Sequence, residues 1–366
     1  MEHAFGRGPA FALGMEEELL LVDPVSRRLA PVASELLARV RSDAGTVMPD
    51  VYQALVETAS PICVNAIEGG RSLATMRKDL RAAGATLMGG GIHPDGAFGD
   101  APHVPTERYA EIGRQMRGLL RRTPTCALHI HVGMPDPGTA IRAFNKMRAH
   151  LPLLQGLAAH SPFWHGSDSG FASARAQLFR GYPRADVPRA FSGWDDYDTS
   201  VRQIVAAGGV PDYTFLWWDI RPHPKLGTLE IRAMDGQARL DSVIGLAALV
   251  HALVLHSTYG PTGDPPPREV LVEGSYRAGR DGLDARIWSR GALRPLHEVA
   301  RAALATARPF ARDLGAEDAL EGVERILRDG NGADRMRRAH DGGGMEGMLA
   351  HLVEETASAG AAAPRG

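Results

Sequence analysis

Four short apolar segments of this chain each carry two polar residues spaced two apart. They are FALGMEEELLLV with Glu16 and Glu18, CALHIHVGM with His129 and His131, LWWDIRP with Asp219 and Arg221, and GTLEIRAMD with Glu230 and Arg232. In an extended strand, residues i and i+2 point to the same face. Each segment therefore puts its polar pair on one face and its apolar residues on the other. A core sheet holds carboxylates, imidazoles and guanidiniums this way only when they pair, bind a metal or bind an anion. Side by side, the strands would form a sheet face lined with metal ligands and phosphate-binding arginines.

The chain has 366 residues, enough for one large domain or two ordinary ones; it is read here as one catalytic domain over 1–366. Its 44% hydrophobic and 23% charged content is ordinary for a globular protein. The net charge is −2 and no Lys/Arg block stands out, so neither nucleic acid nor a membrane surface is expected as a partner. No apolar stretch reads as a bilayer span, and the acidic N-terminus lacks a signal-peptide core. Cys63 and Cys126 lie in apolar contexts and form no CxxC, which suits reduced thiols in a cytoplasmic protein.

Strands are expected at 10–23, 54–64, 125–134, 214–221 and 227–234. The last two are joined by a hairpin-like RPHPKLGT. Helices are expected at 32–41, from Gly69-Gly70 through Leu87, and at 104–122. Others are expected at 139–160 with a kink at Pro152, at 242–258 capped by Asp241, and at 292–312, 316–329 and 345–357. Residues 161–198 are rich in Gly, Pro, Ser, Arg and aromatics and read as an ordered substrate-binding or lid segment. The tail at 358–366 should fray. Hairpin-linked strands with helices grouped after them indicate an α+β architecture with an antiparallel sheet.

Each motif has a plainer alternative. Glu16 and Glu18 repel unless cations lie between them, and Mg²⁺ uses one or two carboxylates together with phosphate oxygens. Otherwise they mark an exposed acidic edge. Glu17 faces the other way and reads as structural. His129 and His131 form an HxH pair that could bind a metal, or be two hydrogen-bonded core histidines. Glu230 and Arg232, beside Arg221, suit a phosphate and its counter-ion, or a buried ion pair. Gly89-Gly90-Gly91 lacks a Lys-Ser/Thr ending and reads as a turn.

Taken with LGMEEELLLVDP, HIHVGMPD, GYPRADVPRAF and WWDIRPHPKLGTLEIRAMDGQ, these residues resemble the bacterial carboxylate–amine ligases of the glutamate–cysteine ligase type, the group that contains the YbdK proteins. The resemblance covers roughly residues 8–355. It implies a glutamine-synthetase-like fold, with helices on the outer face of a curved antiparallel sheet. The open face would hold ATP and two or three Mg²⁺ ions. By the same resemblance, Glu16, Glu18, Glu57, His129 and Glu230 are metal ligands and Arg232 contacts the transferred phosphate. Arg221 and His131 would be neighbours that help bind the nucleotide, and Arg277 is a further nucleotide-binding candidate. The implied reaction is ATP-dependent amide formation through an acyl phosphate, with glutamate activated at its γ-carboxylate and an amine or amino acid such as cysteine as acceptor. Many such ligases dimerise, so a homodimer is expected.

The sequence departs from that family in two places. Asp50 stands seven residues before Glu57 where a Glu is usual. In EGSYRAGRDG, Gly274 and Tyr276 replace an Asn and a Trp, while Glu273, Arg277 and Arg280 remain. These changes keep open a catalytically degenerate relative that binds ATP or glutamate. A metal-dependent hydrolase built on the HxH pair is the other alternative. Arg175, Arg180, Arg184 and Arg189 are candidates to hold a substrate carboxylate.

Overall fold

The computed structural model describes residues 1–358 apart from 262 and 264. The expected frayed tail, Ser358 excepted, lies outside the described residues. In chain order the strands are β1 (Leu13–Leu21), β2 (Thr46–Pro49), β3 (Leu55–Ala59), β4 (Leu87–Met88), β5 (Ala127–Gly133), β6 (Phe163–Trp164), β7 (Ser167–Asp168), β8 (Ile220–His223), β9 (Thr228–Asp235), β10 (Arg286–Ser289) and β11 (Ala292–Pro295). The helices are α1 (Ala33–Arg39), α2 (Ala66–Ala82), α3 (Glu107–Met116), α4 (Pro137–Met147), α5 (Leu151–Leu157), α6 (Ala174–Arg180), α7 (Trp194–Gly208), α8 (Leu240–Tyr259), α9 (Arg268–Asp281), α10 (Leu296–Asp313), α11 (Glu321–Asp329) and α12 (Gly332–Ala357).

The main sheet runs β2-β3-β1-β5-β9-β8, with β4 also paired to β1, and every pairing in it is antiparallel. The α+β architecture is as expected. Alternation along β1 sends Leu13, Met15 and Leu19 to the rear, where they are at most 1% exposed. There Leu13 and Met15 join Ile130, Leu229 and Ile231 in a core packed with α2 and α8, and Leu19 joins Val56 and Leu80 in a smaller one. Burying each such side chain is worth about 1.5–3 kcal/mol. Glu17 shares that rear face and is held by Arg77 of α2 through bonds of 2.6 and 2.9 Å. Arg77 also donates to the carbonyls of Ala238 and Gln237 at 2.6 and 2.9 Å. The structural reading of Glu17 is correct.

Several boundaries move, each for a local reason. Gly69 and Gly70 lie inside α2, which Asn65 caps by accepting from Ile67 and Glu68 N–H at 3.1 Å each. A Cβ at Gly69 would meet Met15 Sδ at 2.3 Å, and one at Gly70 would meet Ile244 at 2.3 Å. These glycines therefore let α2 lie close against the sheet and α8. Leu87 belongs to β4. The expected helix at 139–160 divides at a short 3-10 turn before α5, which carries Pro152 in its first turn. Asp241 does not cap α8; it pairs with Arg239 and Arg325 at 2.6 Å each. Helix α8 is long and apolar enough to cross a bilayer, contrary to the expectation of no such stretch. However, 83% of that window is buried inside the fold, so it is the core helix. Strand β2, helix α9 and the β10–β11 hairpin were not foreseen. The 161–198 segment is ordered, holding β6, β7, α6 and the start of α7.

Candidate active site

The pairing register brings the polar pairs together on the face opposite α2 and α8. Glu16 lies opposite His129 and Glu18 opposite Glu57. His131 lies opposite Glu230, and Glu230 opposite Arg221. A bulge between Leu128 and Ile130 shifts β5 against β9 just where His129 approaches Arg232. The β8–β9 turn is closed by Gly227 at φ +69°, where a Cβ would strike the Ala4 carbonyl at 2.5 Å.

Glu16 is at the centre. Its two carboxylate oxygens lie 3.4 Å from His129 Nδ1 and 3.4 Å from His131 Nε2. His129 Nε2 is 3.9 Å from Glu18, and His131 Nε2 is 3.9 Å from Glu230. Glu230, 1% exposed, accepts from Arg221 Nε at 2.5 Å and from Arg232 Nη1. Arg221 is oriented from behind by the carbonyls of Leu216 at 2.9 Å and Thr214 at 3.2 Å. Glu18 accepts from the Ala127 N–H at 2.7 Å, and His131 Nδ1 shares a 3.0 Å bond with Thr228 Oγ1. On this face, His131 Nε2 and Arg232 Nε are buried and make no hydrogen bond that meets ordinary geometry.

The electrostatics divide this face. Burial opposes ionisation of Glu230, but Arg221 and Arg232 outweigh it and hold its carboxyl well below the usual range. At the other end, burial and the Asp50 charge push Glu18 up to about 8. Burial and then the charges of Glu16, Glu18 and Asp50 push Glu57 well up. Burial and Arg232 bring His129 down to about 4, so it is a neutral imidazole with a free lone pair. Burial drives Asp50 upward as well. Such crowding of carboxylates is relieved by a cation between them.

Ligand atoms of Glu16, His129 and Glu230 converge within 4.8 Å of one another. Two carboxylates and a neutral imidazole form a donor set that suits a divalent cation. Glu18, Glu57 and Asp50 raise one another's carboxyls through their charges at the acidic end, but among the described residues their oxygens do not form a second group of this kind.

Not every candidate belongs to this cluster. Arg277 is on α9 in a 2.7 Å ion pair with Glu273, and no described contact joins it to the sheet residues. Arg189 pairs with Asp196 at 2.5 Å on the surface. Arg184 donates to the Phe215 carbonyl at 3.0 Å and Arg180 to the Val272 carbonyl at 3.2 Å. Of the four arginines of the 161–198 segment, Arg175 on α6 is tied to the site strand, 4% exposed, reaching the Arg232 carbonyl at 3.4 Å and Asp235 at 3.7 Å. Its Nε has no partner. Asp219 is pushed up to about 6 by burial and Asp186, with Arg180, Arg175 and Arg232 opposing. It was seen in the sequence as a partner of Arg221, without a role. Gly274 is buried in α9, where a Cβ would lie 3.1 Å from Pro152 of α5. A side chain there would press on Pro152, so this position lies in the α5–α9 packing.

At the His131 end, the face opens into a cavity of about 220 Å³ lined by Pro9, Ala12, Ile62, Met134, Leu226 and Gly14, with Glu16 and His131 as its charged edge. The site therefore has an apolar end and an acidic end, with paired arginines between them.

The glutamate–cysteine ligase family 2 model matches residues 12–355. The chain belongs to that family. A putative glutamate–cysteine ligase 2-1 of Rubrobacter xylanophilus is 37% identical over 97% of each chain. A putative glutamate–cysteine ligase 2 of Rhodospirillum rubrum is 33% identical, covering 98% of this chain and all of the relative. Among solved structures, a glutamate–cysteine ligase from Francisella tularensis in complex with AMP gives a TM-score of 0.67 at 12% identity, covering 96% of this chain and 90% of that one. A bifunctional glutathione synthetase from Pasteurella multocida gives 0.66 at 13% identity, covering 95% of this chain and 52% of that one. At such identities the two structures speak for the fold. As a member of glutamate–cysteine ligase family 2, the chain is an ATP-dependent ligase that forms C–N bonds.

Proposed function

We propose that the open sheet face joins a small-molecule carboxylate, glutamate through its γ-carboxyl, to an amine or amino acid such as cysteine. The observation that carries this is the single face on which Glu16, His129 and Glu230 converge beside Arg221 and Arg232. ATP would lie with its base in the apolar cavity and its phosphates over His131, Glu16 and Arg232. Glu16, His129 and Glu230 would hold one Mg²⁺, and Glu18 with Glu57, helped by Asp50, a second. Bound there, divalent cations neutralise phosphate oxygens and so lower the cost of bringing two anions together.

The chain's own residues then act in order. Arg232 and His131 orient the phosphates, and Arg221 keeps Glu230 ionised and fixed. The substrate carboxylate oxygen attacks the γ-phosphorus and ADP leaves, giving an acyl phosphate. Arg232, its Nε unpartnered, donates to the phosphoryl oxygens as their charge builds. The amine attacks the acyl carbon, the C–O bond to phosphate breaks, and the amine proton passes to a carboxylate at the acidic end. A degenerate relative is disfavoured because no ligand position on the face is lost, and the Gly274 change lies outside it. The buried, free Cys63 and Cys126 support a cytoplasmic setting.

The test is ADP release from Mg-ATP and L-glutamate, with and without hydroxylamine as a trapping amine. Hydroxylamine-dependent ADP and a hydroxamate are expected. Release with another carboxylic acid but not glutamate would remove the γ-glutamyl assignment and keep the ligase. ATP binding with no turnover for any carboxylate would restore the degenerate reading.

A further inference from the structure

Two opposite charges flank Arg232 on the front face and do not pair with each other. One is Arg175, 4% exposed. The first turn of α6 carries it and is docked on Asp235 at the end of β9. The Asp235 carboxylate accepts from Ser161 Oγ at 2.7 Å, Ser173 Oγ at 2.8 Å and the His160 N–H at 2.9 Å. The Arg175 backbone N–H donates to the same Ser161 Oγ at 3.2 Å, and its guanidinium lies 5.2 Å from the centre of the Phe179 ring one turn on. Backbone and stem are thus fixed, while the donors are sparsely used. Nη2 makes a 3.4 Å bond to the Arg232 carbonyl, Nη1 stays 3.7 Å from Asp235, beyond hydrogen-bond reach, and Nε makes no bond.

The other charge is Asp219. Its carbonyl accepts from the Arg232 N–H at 2.8 Å, which continues the β8–β9 register past Arg221 and Glu230 and sets Asp219 beside Arg232. It shares the front face with Arg221, two residues on. Its side chain is half-buried. Asp186, Arg180, Arg175 and Arg232 all lie near enough for their charges to reach it. Yet among the described residues its carboxylate accepts no hydrogen bond and forms no ion pair.

A buried guanidinium with one long bond beside a carboxylate with none is costly unless something completes both. An anion alone would suit Arg175 and be repelled by Asp219, and a cation alone would do the reverse. A zwitterion suits both, and an α-amino acid carries its carboxylate and its ammonium on one carbon. We propose that Arg175 and Asp219 form the subsite for the α-amino-acid head group of the acyl donor, Arg175 taking the carboxylate and Asp219 the ammonium, so that the side-chain carboxyl reaches Arg232. The assignment rests on the ligase reading of the front face. It makes the donor an α-amino acid with a second carboxyl group, not a simple carboxylic acid.

The experiment follows ADP release with Mg-ATP and hydroxylamine, an acceptor that has no head group of its own. The donors are L-glutamate, 4-aminobutyrate, which lacks the α-carboxylate, and glutarate, which lacks the ammonium. Wild type should favour L-glutamate over each by at least about 10²-fold in kcat/KM. Arg175→Met should lower kcat/KM for L-glutamate and glutarate by roughly 10- to 100-fold, chiefly through KM. The preference over 4-aminobutyrate then collapses and the preference over glutarate stays. Asp219→Asn should do the converse, collapsing the preference over glutarate alone. If Arg175→Met does not fold, Asp219→Asn, at the start of the edge strand β8, decides. Equal losses with all three donors would make the pair structural and overturn the proposal, as would preferences that neither variant alters. A raised KM for cysteine as acceptor, with the donor preferences intact, would overturn the donor assignment in favour of the acceptor's head group. A wild type that binds ATP and releases no ADP with any carboxylic acid would remove the ligase reading and this subsite with it.

Discussion

Glu16 and Glu17 are adjacent in sequence and opposite in role, because a strand sends neighbours to opposite faces. Glu16 meets His129 and His131, whereas Glu17 is clamped by Arg77 in the core. Glu16→Gln should therefore abolish turnover and leave the unfolding midpoint nearly unchanged. Glu17→Gln leaves Arg77 buried without its counter-charge and should cost about 3–5 kcal/mol of stability while sparing the chemistry of the folded fraction. Denaturant unfolding beside turnover on both variants checks this, and equal stability losses would contradict the division of faces. On the proposed mechanism, Arg232→Ala removes a donor to the developing phosphoryl charge. It should lower kcat by roughly 10²–10³ with the fold intact. Steady-state kinetics showing full activity would refute that role. At this scale the sequence was highly legible: period-two spacing placed Glu16, Glu18, His129, Glu230, Arg221 and Arg232 on one face without further information. Arg175 could not be singled out, because its link to the site strand is a tertiary contact from α6 and three other arginines lie in the same 161–198 segment.

Among elements, β9 lies between β5 and β8, so one strand presents Glu230 to both His131 and Arg221. The strands with strong alternation were readable. Strand β2 was not, because its Thr-Val-Met-Pro run is short and only half-buried, yet it leads directly to Asp50. Helix α9 follows a proline-rich run, whose turn signals hid its start. It packs against α5 at Gly274, where an added Cβ would lie 3.1 Å from Pro152. Gly274→Asn should overpack this pair and cost about 1–3 kcal/mol by urea unfolding, with no gain in turnover. A more active or equally stable variant would show that the position serves ligands.

Across the whole molecule, the rear helices cover the sheet's apolar face, and the proposed chemistry lies on its front face. His251 belongs to the rear. It is fully buried in α8, bonded to the Phe11 carbonyl at 2.7 Å, and burial brings it down to about 4. The unfolded chain takes up this proton near pH 6.5, before the folded chain does. Stability from the neutral His251 is therefore present above pH 6.5 and lost as pH falls toward 4, by up to about 1.4 kcal/mol per pH unit. His251→Gln keeps a donor for the Phe11 carbonyl and should flatten that slope in unfolding measurements between pH 6.5 and 5. An unchanged slope would mean that other groups set the acid limit. The front face is tested most directly by isotope transfer. Glutamate labelled with ¹⁸O in its γ-carboxylate is turned over with Mg-ATP and hydroxylamine, and the released phosphate is analysed by mass spectrometry. Attack of the carboxylate on the γ-phosphorus predicts one ¹⁸O in each phosphate released, whereas phosphate without label would contradict an acyl-phosphate ligase.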